Sequence, residues 1–171
     1  MNLVDPDNRR PVDFEKRKGF MSEIMEKEEG DILNLIGELI STKEDGRIKL
    51  YLIYKALKTR NERKELFDNG DYLPLEVRGK HSEHAIAFAR KKEKNWTITL
   101  APRLLTYLIK EDDHPYGESV WGDTQIVIPE DASLSSWRDV FTNRMIKTAD
   151  TLPIGEVLKH FPVSLLIGEG K

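Results

Sequence analysis

The chain has 171 residues, of which 39% are hydrophobic, and this is enough to bury the core of one domain. Its 27 lysines and arginines are mixed along the sequence with 30 aspartates and glutamates, so no nucleic-acid partner is predicted. The absence of cysteine excludes disulfides, thiolate nucleophiles and cysteine-based zinc sites, and it favours the cytoplasm, a reducing compartment. No apolar run has the length of a signal-peptide core or of a membrane span, so we expect neither secretion nor a membrane partner.

The first third of the sequence is predicted to be helical. Asp13 can cap a helix that continues to about Glu28, and Gly30 can end it. A second helix is predicted to begin at Asp31, because its apolar residues recur at the spacing of one buried helix face: Ile32, Leu35, Ile36, Leu39 and Ile40.

A third helix is predicted after the break at Asp45 and Gly46. Residues 48–57 are apolar nearly all round, and residues 58–64 are strongly polar. The pattern therefore predicts a helix whose first half is buried and whose second half is solvated, with an end at Asn69 and Gly70.

Beyond Gly70 the hydrophobic period changes from helical to two, which is typical of strands. About six strands are predicted, at residues 73–77, 86–88, 96–100, 125–128, 138–142 and 163–167. The residues predicted to face the core of an antiparallel β-sandwich are Leu73, Leu75, Ile86, Phe88, Ile98 and Leu100. The sequence therefore predicts an α+β chain with a helical segment at residues 1–69 and the sandwich at residues 70–171.

Seven segments carry a resemblance to a known family. Residues 3–13 read LVDPDNRRPVD, and similar matches lie at residues 56–60, 65–72, 87–90, 102–105, 121–124 and 161–166. In this order they resemble the carboxy-terminal region of maltooligosyltrehalose synthases, members of the α-amylase superfamily. The resemblance spans essentially the whole chain. It implies that the helical segment is a remnant of the end of a TIM-type barrel and that the strands form the domain that follows it.

The resemblance also implies an activity for the parent protein. Such enzymes convert the reducing-end α-1,4 linkage of a maltooligosaccharide into an α,α-1,1 linkage by intramolecular transfer. Retaining chemistry of this kind needs a carboxylate nucleophile and a carboxylic acid/base roughly 5 to 5.5 Å apart. In this superfamily these groups lie at the ends of earlier barrel strands, upstream of Met1, so we expect that the chain alone has no catalytic residues and is inactive.

Four residues are candidates for contact with the sugar. By the resemblance, Asp5, Asp7, Arg9 and Arg10 belong to a loop at the carboxyl end of the final barrel strand, where active-site loops lie. Arginine offers a rigid set of donors for sugar hydroxyls. The alternative is that the aspartates shape an Asx-type turn while the arginines pair with neighbouring acids as scaffold.

Other candidates are more simply explained by structure. Aromatic rings can stack on sugars, and the candidates are Trp96, Tyr107, Tyr116, Trp121 and Trp137. Trp96, however, lies in a strand pattern that favours the core, and Trp121 can be a core residue or a surface platform. His81 and His84 offer two metal ligands at most, and solvated loop histidines are the simpler interpretation. No metal and no cofactor are predicted.

Two further expectations concern partners. The parent would bind a maltooligosaccharide through the missing barrel, whereas a free-standing carbohydrate-binding or interaction module is the alternative function. If helix faces including Ile32, Leu35, Ile36 and Leu39 lose barrel partners, they should either repack onto the sandwich of the same chain or form a homodimer through exposed helices.

Overall fold

Helices occupy the first part of the chain and strands the second in the computed structural model, which describes residues 11–110, 113–132, 134, 136–147 and 150–169. The first helices are α1 (Phe14–Glu28), α2 (Ile32–Ser41), α3 (Arg47–Glu62) and α4 (Lys64–Asn69). Within the described residues the strands that follow are β1 (Asp71–Pro74), β2 (Val77–Arg78), β3 (Ala85–Lys92), β4 (Asn95–Pro102), β5 (Gln125–Val127), β6 (Ser136–Asp139), β7 (Met145–Lys147), β8 (Thr151–Pro153) and β9 (Ser164–Glu169). Two one-turn helices lie among them, α5 (Glu118–Trp121) and α6 (Ile154–Val157). The predicted α+β class is confirmed.

Capping aspartates set the starts of the first two helices. Asp13 accepts a hydrogen bond from the backbone N–H of Lys16 at 2.9 Å. Asp31 accepts from the N–H groups of Leu33 and Asn34 at 3.0 and 3.1 Å. These bonds satisfy donors that a helix start otherwise leaves free, so both predicted starts are confirmed. No helix in the described part of the chain combines the length and the apolar composition needed to cross a membrane.

Contacts divide the chain into two compact units. One reaches to Lys58 and is called the helical unit below, and the other begins at Thr59 and is called the sheet unit. Residues 59–69 group with the strands because α4 packs on β3: Leu66 is buried, and Lys92 Nζ lies 2.6 Å from Glu65 Oε2. The domain boundary between residues 69 and 70 stays a prediction.

The apolar face of α2 is buried within the single chain. Leu35, Ile36 and Leu39 are each at most 2% exposed, as is Ile24 of α1. The face predicted from the spacing of these residues is therefore confirmed, and these side chains need no second chain to leave water.

Arg47 ties three segments of the helical unit together. Its Nη1 donates to Glu23 of α1 at 3.0 Å and to Glu38 of α2 at 2.8 Å, and its Nε donates to Asp45 at 2.7 Å. Lys27 bonds the same two glutamates at 2.9 and 2.7 Å. Because the Arg47 side chain is only 10% exposed, its positive charge depends on these carboxylates for compensation.

The sheet unit contains two antiparallel sheets. The larger has the order β1-β3-β4-β9-β6-β7, and the smaller has the order β2-β5-β8. Consecutive strands β1 and β2 belong to different sheets, so the chain passes from one sheet to the other at residues 75 and 76. Both sheets contribute to one apolar cluster, which includes Ile98, Ile126, Trp137, Leu152 and Leu166. The sheets also include very short strands, since β2, β7 and β8 have only two or three residues each.

The prediction of which β3 residues face the core is wrong by one position. Ala87 and Ala89 are buried at 6% and 1% exposure, whereas Ile86 is 46% exposed and Phe88 is partly buried against Tyr72. In the ladder Ala87 pairs with Leu100 and Ala89 with Ile98, so the alanines share the core face with the large residues of β4. Small side chains on β3 leave room for those large neighbours.

The predicted strand at residues 138–142 is also wrong in its second half. Beyond Asp139 the chain turns, because the Asp139 carboxylate accepts hydrogen bonds from the backbone N–H groups of Phe141 and Thr142 at 2.9 and 2.8 Å. An aspartate that bonds its own following backbone closes a turn and ends the strand.

Substitutions on β3 and β4 are expected to distinguish the core face of the sheet from its exposed face. Ile98→Ala in the core should lower the free energy of unfolding by roughly 2–5 kcal/mol, because it removes a fully buried side chain. Ile86→Ala should lower it by less than about 1 kcal/mol, since that side chain is half exposed. Chemical denaturation followed by tryptophan fluorescence measures both, and an Ile86→Ala loss equal to that of Ile98→Ala would contradict the assignment of faces.

Acid is expected to unfold the helical unit before the sheet unit. Hydrogen bonds from Lys27 and Arg47 lower the pKa of Glu38. Burial raises the pKa of Asp45, but bonds from Arg47 lower it by more. Groups with a lowered pKa stabilise the fold above their ordinary pKa of about 4, and this stabilisation is lost as the pH falls through the lowered values. The circular dichroism signal of helices, at about 222 nm, should therefore decline on acidification before tryptophan fluorescence changes. The fluorescence reports on the sheet unit, because all three tryptophans lie there.

Variants test whether the Arg47 network causes this order. Arg47→Met should lower the stability of the helical unit at neutral pH by about 2 kcal/mol and weaken its dependence on acid. Arg78→Met is the matched control, because Arg78 pairs with Glu76 at the surface, where ion pairs contribute little. Equal effects of the two variants would show that the network is not the cause.

Candidate functional site

The four predicted sugar contacts, Asp5, Asp7, Arg9 and Arg10, lie outside the described residues. Their role stays a prediction. Apart from residues 56–58, the other segments that carry the resemblance lie in described parts of the sheet unit, and their geometry shows what those residues do.

Residues 121–124 form a clamp that holds a neighbouring loop. Trp121 is fully buried, and its Nε1 donates to the carbonyl oxygen of Pro115 at 3.0 Å. Asp123 accepts from the backbone N–H of Lys80 at 3.0 Å, and Thr124 Oγ1 accepts from the N–H of His81 at 3.1 Å. The motif thus fixes the loop before β3, and the core interpretation of Trp121 is confirmed.

Gly79 makes this clamp sterically feasible. Its φ of +109° lies in a region that favours glycine. A Cβ at this position would lie 2.7 Å from the Cα of Thr124 and 2.8 Å from the carbonyl oxygen of Asp123. The two backbones therefore approach as closely as they do only because residue 79 has no side chain.

Arg103, from the segment at residues 102–105, holds the other side of the same loop. Its backbone N–H donates to the carbonyl oxygen of His84 at 2.8 Å, and its Nε donates to the carbonyl oxygen of Glu83 at 2.8 Å. The His81 and His84 ring centroids are 6.1 Å apart. Among the described residues no group of three or more potential metal ligands comes together.

An open cleft of about 330 Å³ lies beside this loop. Residues such as Leu75, Val77 and Ile86 give it apolar walls, and Ser82 and Glu83 supply its polar groups. Glu83 is the one carboxylate in this lining, whereas hydrolysis or transfer of a glycosidic bond by the usual route needs two. The cleft therefore lacks the pair of carboxylates that a glycosyl-transfer site needs.

Asp139 is the buried carboxylate of the described chain, and its surroundings saturate it. Besides the two turn N–H groups, the hydroxyls of Thr142 and Ser164 donate to it, the first at 3.0 Å. Burial raises the pKa of Asp139, and these hydrogen bonds lower it by less. Ser164 belongs to the segment at residues 161–166 and begins β9, so this contact joins the start of β9 to the end of β6. An acid enclosed in this way cannot reach a substrate.

Besides Trp121, two aromatic candidates are core residues and one is a surface residue. Trp96 and Trp137 are 2% and 0% exposed, so the core interpretation of Trp96 is confirmed. Tyr107 is 82% exposed in the loop after β4, and Tyr116 stacks on His114 with ring centroids 5.0 Å apart. Burial also lowers the pKa of His160 and raises that of Tyr116. Of the aromatic side chains considered for sugar stacking, Tyr107 is the one that the structure leaves open.

Sequence reasoning missed Asp139, Gly79 and Arg103 as organising residues. Asp139 was hidden inside a predicted strand, although an aspartate followed three residues later by threonine is compatible with a turn. Gly79 follows a short strand and could have been recognised as a turn residue. The partners of Arg103 are backbone carbonyls about twenty residues away, and no local pattern identifies them.

The chain has an α+β fold, and residues from the segments that carry the family resemblance hold its strands and loops in place. Its relatives are maltooligosyltrehalose synthases. Proteins with that name from two strains of Mycobacterium tuberculosis are each 25% identical to it over 97% of this chain. The solved structure of a mutant maltooligosyltrehalose synthase from Arthrobacter ramosus superposes with a TM-score of 0.69 and 31% identity over 97% of this chain. No protein-family profile matches the sequence.

The resemblance is thereby confirmed, but the lengths differ greatly. The chain spans 17% of the length of the curated relatives and 18% of the Arthrobacter ramosus chain. Most of each relative therefore has no counterpart in the aligned residues.

The raised pKa of Asp139 gives an expected pH dependence for the sheet unit. A carboxyl whose pKa is raised by folding favours the folded state most below its ordinary pKa, about 4, and this contribution is lost as the pH rises toward the raised value. Asp139→Asn keeps an oxygen for the N–H groups of Phe141 and Thr142 but cannot ionise. We expect this variant to lose the decline in stability above about pH 4, as measured by denaturation followed by tryptophan fluorescence.

Asp150→Asn is the control, because it changes an exposed carboxyl in the same way. It should leave the pH dependence as it is in the unaltered chain. An Asp139→Asn variant with an undiminished decline would mean that a group other than Asp139 causes the pH dependence.

Proposed function

We propose that this chain is the carboxy-terminal part of a maltooligosyltrehalose synthase, a (1→4)-α-D-glucan 1-α-D-glucosylmutase. The observation that carries the proposal is the continuous match: 97% of the chain superposes on one synthase at 31% identity. In this proposal the parent is an intramolecular transferase of the α-amylase superfamily that acts in trehalose biosynthesis. It isomerises the reducing-end α-1,4 linkage of a maltooligosaccharide to α,α-1,1.

The proposed role of this part is architectural. The transfer needs a nucleophilic carboxylate and a second carboxylic acid that protonates and deprotonates the leaving and attacking oxygens. The resemblance assigns both to the barrel, and the enclosure of Asp139 supports this, because it removes the buried acid of the described chain from contact with substrate. The clamp at residues 121–124 and the two sheets then form the rigid domain next to which the barrel works.

The remaining predictions belong to this proposal. Asp5, Asp7, Arg9 and Arg10 would contact the maltooligosaccharide from a loop at the end of the last barrel strand, and the helices from α1 onward would be the end of the barrel. The cytoplasm stays the predicted location, since the sequence uses no cysteine. A homodimer through exposed helices stays a prediction as well.

A second candidate is a non-catalytic carbohydrate-binding or interaction module. The exposed ring of Tyr107 favours it, because an uncovered aromatic face suits the apolar face of a pyranose. One such ring provides little affinity by itself, so this candidate ranks below the first.

The purified chain is expected to form neither a trehalose-capped product nor reducing sugar from maltopentaose, because the proposal places both catalytic carboxylates elsewhere. Product analysis by chromatography after long incubation, against a buffer blank, provides the measurement. Turnover that survives repurification would contradict the assignment of catalysis to the barrel.

Binding by the same preparation separates the two candidates. Calorimetric titration with maltopentaose should show saturable binding without turnover if the module interpretation holds, and Tyr107→Ala should abolish it. Tyr72→Ala is the control, since Tyr72 is also exposed but packs its ring against Phe88. Absence of binding supports the synthase proposal over the module.

A further inference from the structure

The burial pattern of α3 is the reverse of an ordinary amphipathic helix. Its inward row, spaced by four residues, includes Arg47, Tyr51 and Lys55, which are 8%, 0% and 7% exposed. On the opposite side Ile53 and Leu57 are 42% and 58% exposed. The helix therefore buries two cations and exposes two large aliphatic side chains, although an isolated unit would gain more from the opposite choice.

The inward row is satisfied in this arrangement. Arg47 bonds three carboxylates, and Lys55 forms an ion pair with Glu28 of α1. Because these partners come from the helical unit itself, the orientation of α3 is specified and is not open to simple rotation. The exposed aliphatic row is a fixed property of the unit.

Exposed apolar side chains are concentrated in this part of the chain. Six of the large hydrophobic residues that are exposed lie between residues 12 and 57, whereas five lie between residues 72 and 145, a longer stretch. Within the helical unit, α3 places exposed residues on one face, because Ile53 and Leu57 are one turn apart and the half-buried Leu50 continues the row. Leu50, Ile53 and Leu57, at i, i+3 and i+7, are the outer row of α3, the spacing by which a helix fills an apolar groove.

Charge argues against a second copy as the occupant of this row. Lys49 and Lys58 flank it, and from Arg47 to Asn61 the helix contains no acidic residue. Two copies packed through the same row would bring these lysines together, and like charges at an interface are unfavourable. The surface that fits is an apolar patch bordered by carboxylates on a different polypeptide segment.

We infer that the outer row of α3 is the docking surface for the remaining part of a synthase-like protein, an inference that rests on the proposed function. The lengths support this occupant, because the aligned residues make up only 17–18% of the synthases that match. An apolar groove rimmed by acids on that larger part would cover Ile53 and Leu57 and accept the flanking lysines.

The lack of native cysteine allows a direct test by thiol labelling. Ile53→Cys reports on the outer row, and Ser22→Cys, a near-isosteric change at an exposed position of α1, is the control. Both should react quickly with a thiol reagent in the 171-residue chain. The chain then replaces the aligned segment of the Arthrobacter ramosus synthase in a full-length chimera, and labelling is located by peptide mass. We expect labelling at position 53 to slow at least tenfold in the chimera and labelling at position 22 to be unchanged.

Each outcome decides between occupants. Undiminished labelling of Ile53→Cys in a folded chimera would overturn the inference, as would a chimera that fails to fold where the unaltered synthase folds. A dimer of the unaltered chain in sedimentation velocity that Ile53→Glu converts to monomer would also overturn it, because the occupant would then be a second copy. A folded chimera that protects position 53 but forms no trehalose-capped product would count against the proposed function alone.

Discussion

The fold of the sheet unit depends on one shared apolar core. Ile98 and Trp137 come from the large sheet, Ile126 comes from the small sheet and Trp121 comes from α5, and each is fully buried in the same cluster. Neither a two-residue strand such as β2 nor an isolated three-stranded sheet buries enough apolar area to persist alone. The clamp at residues 121–124 depends on this core as well, because Trp121 anchors the motif whose polar groups hold the loop at residues 79–81.

Several residues in and beside the segments that carry the resemblance have a structural role in the described chain. Gly79, Asp123 and Thr124 allow two backbones to meet, Arg103 fastens the same loop from the other side, and Ser164 links β9 to the turn at Asp139. This structural role fits the proposed function, in which the reacting groups belong to the barrel and this part supplies rigidity.

Sequence reasoning succeeded where local physics decides the outcome. Asp13 and Asp31 cap helices through their own following N–H groups, and the spacing of Leu35, Ile36 and Leu39 defines a face without reference to distant residues. It failed where distant neighbours decide. The core face of β3 holds Ala87 and Ala89 because β4 supplies the bulk, and the inward row of α3 holds Arg47 because carboxylates from two other segments meet it. The candidate sugar contacts rest on the family resemblance alone.

The position of β9 has a kinetic consequence. This last strand lies between β4 and β6, so the large sheet has a gap at its centre until residues 164–169 arrive. Pairing β4 with β9 closes a loop of about 70 residues, and such long-range closures are slow compared with helix formation. During synthesis or refolding, the helical unit can form early from local contacts. One edge of β4 stays unpaired during this time, and a strand of another chain could pair with it. The period before β9 inserts is thus the interval in which this protein is most exposed to misassembly.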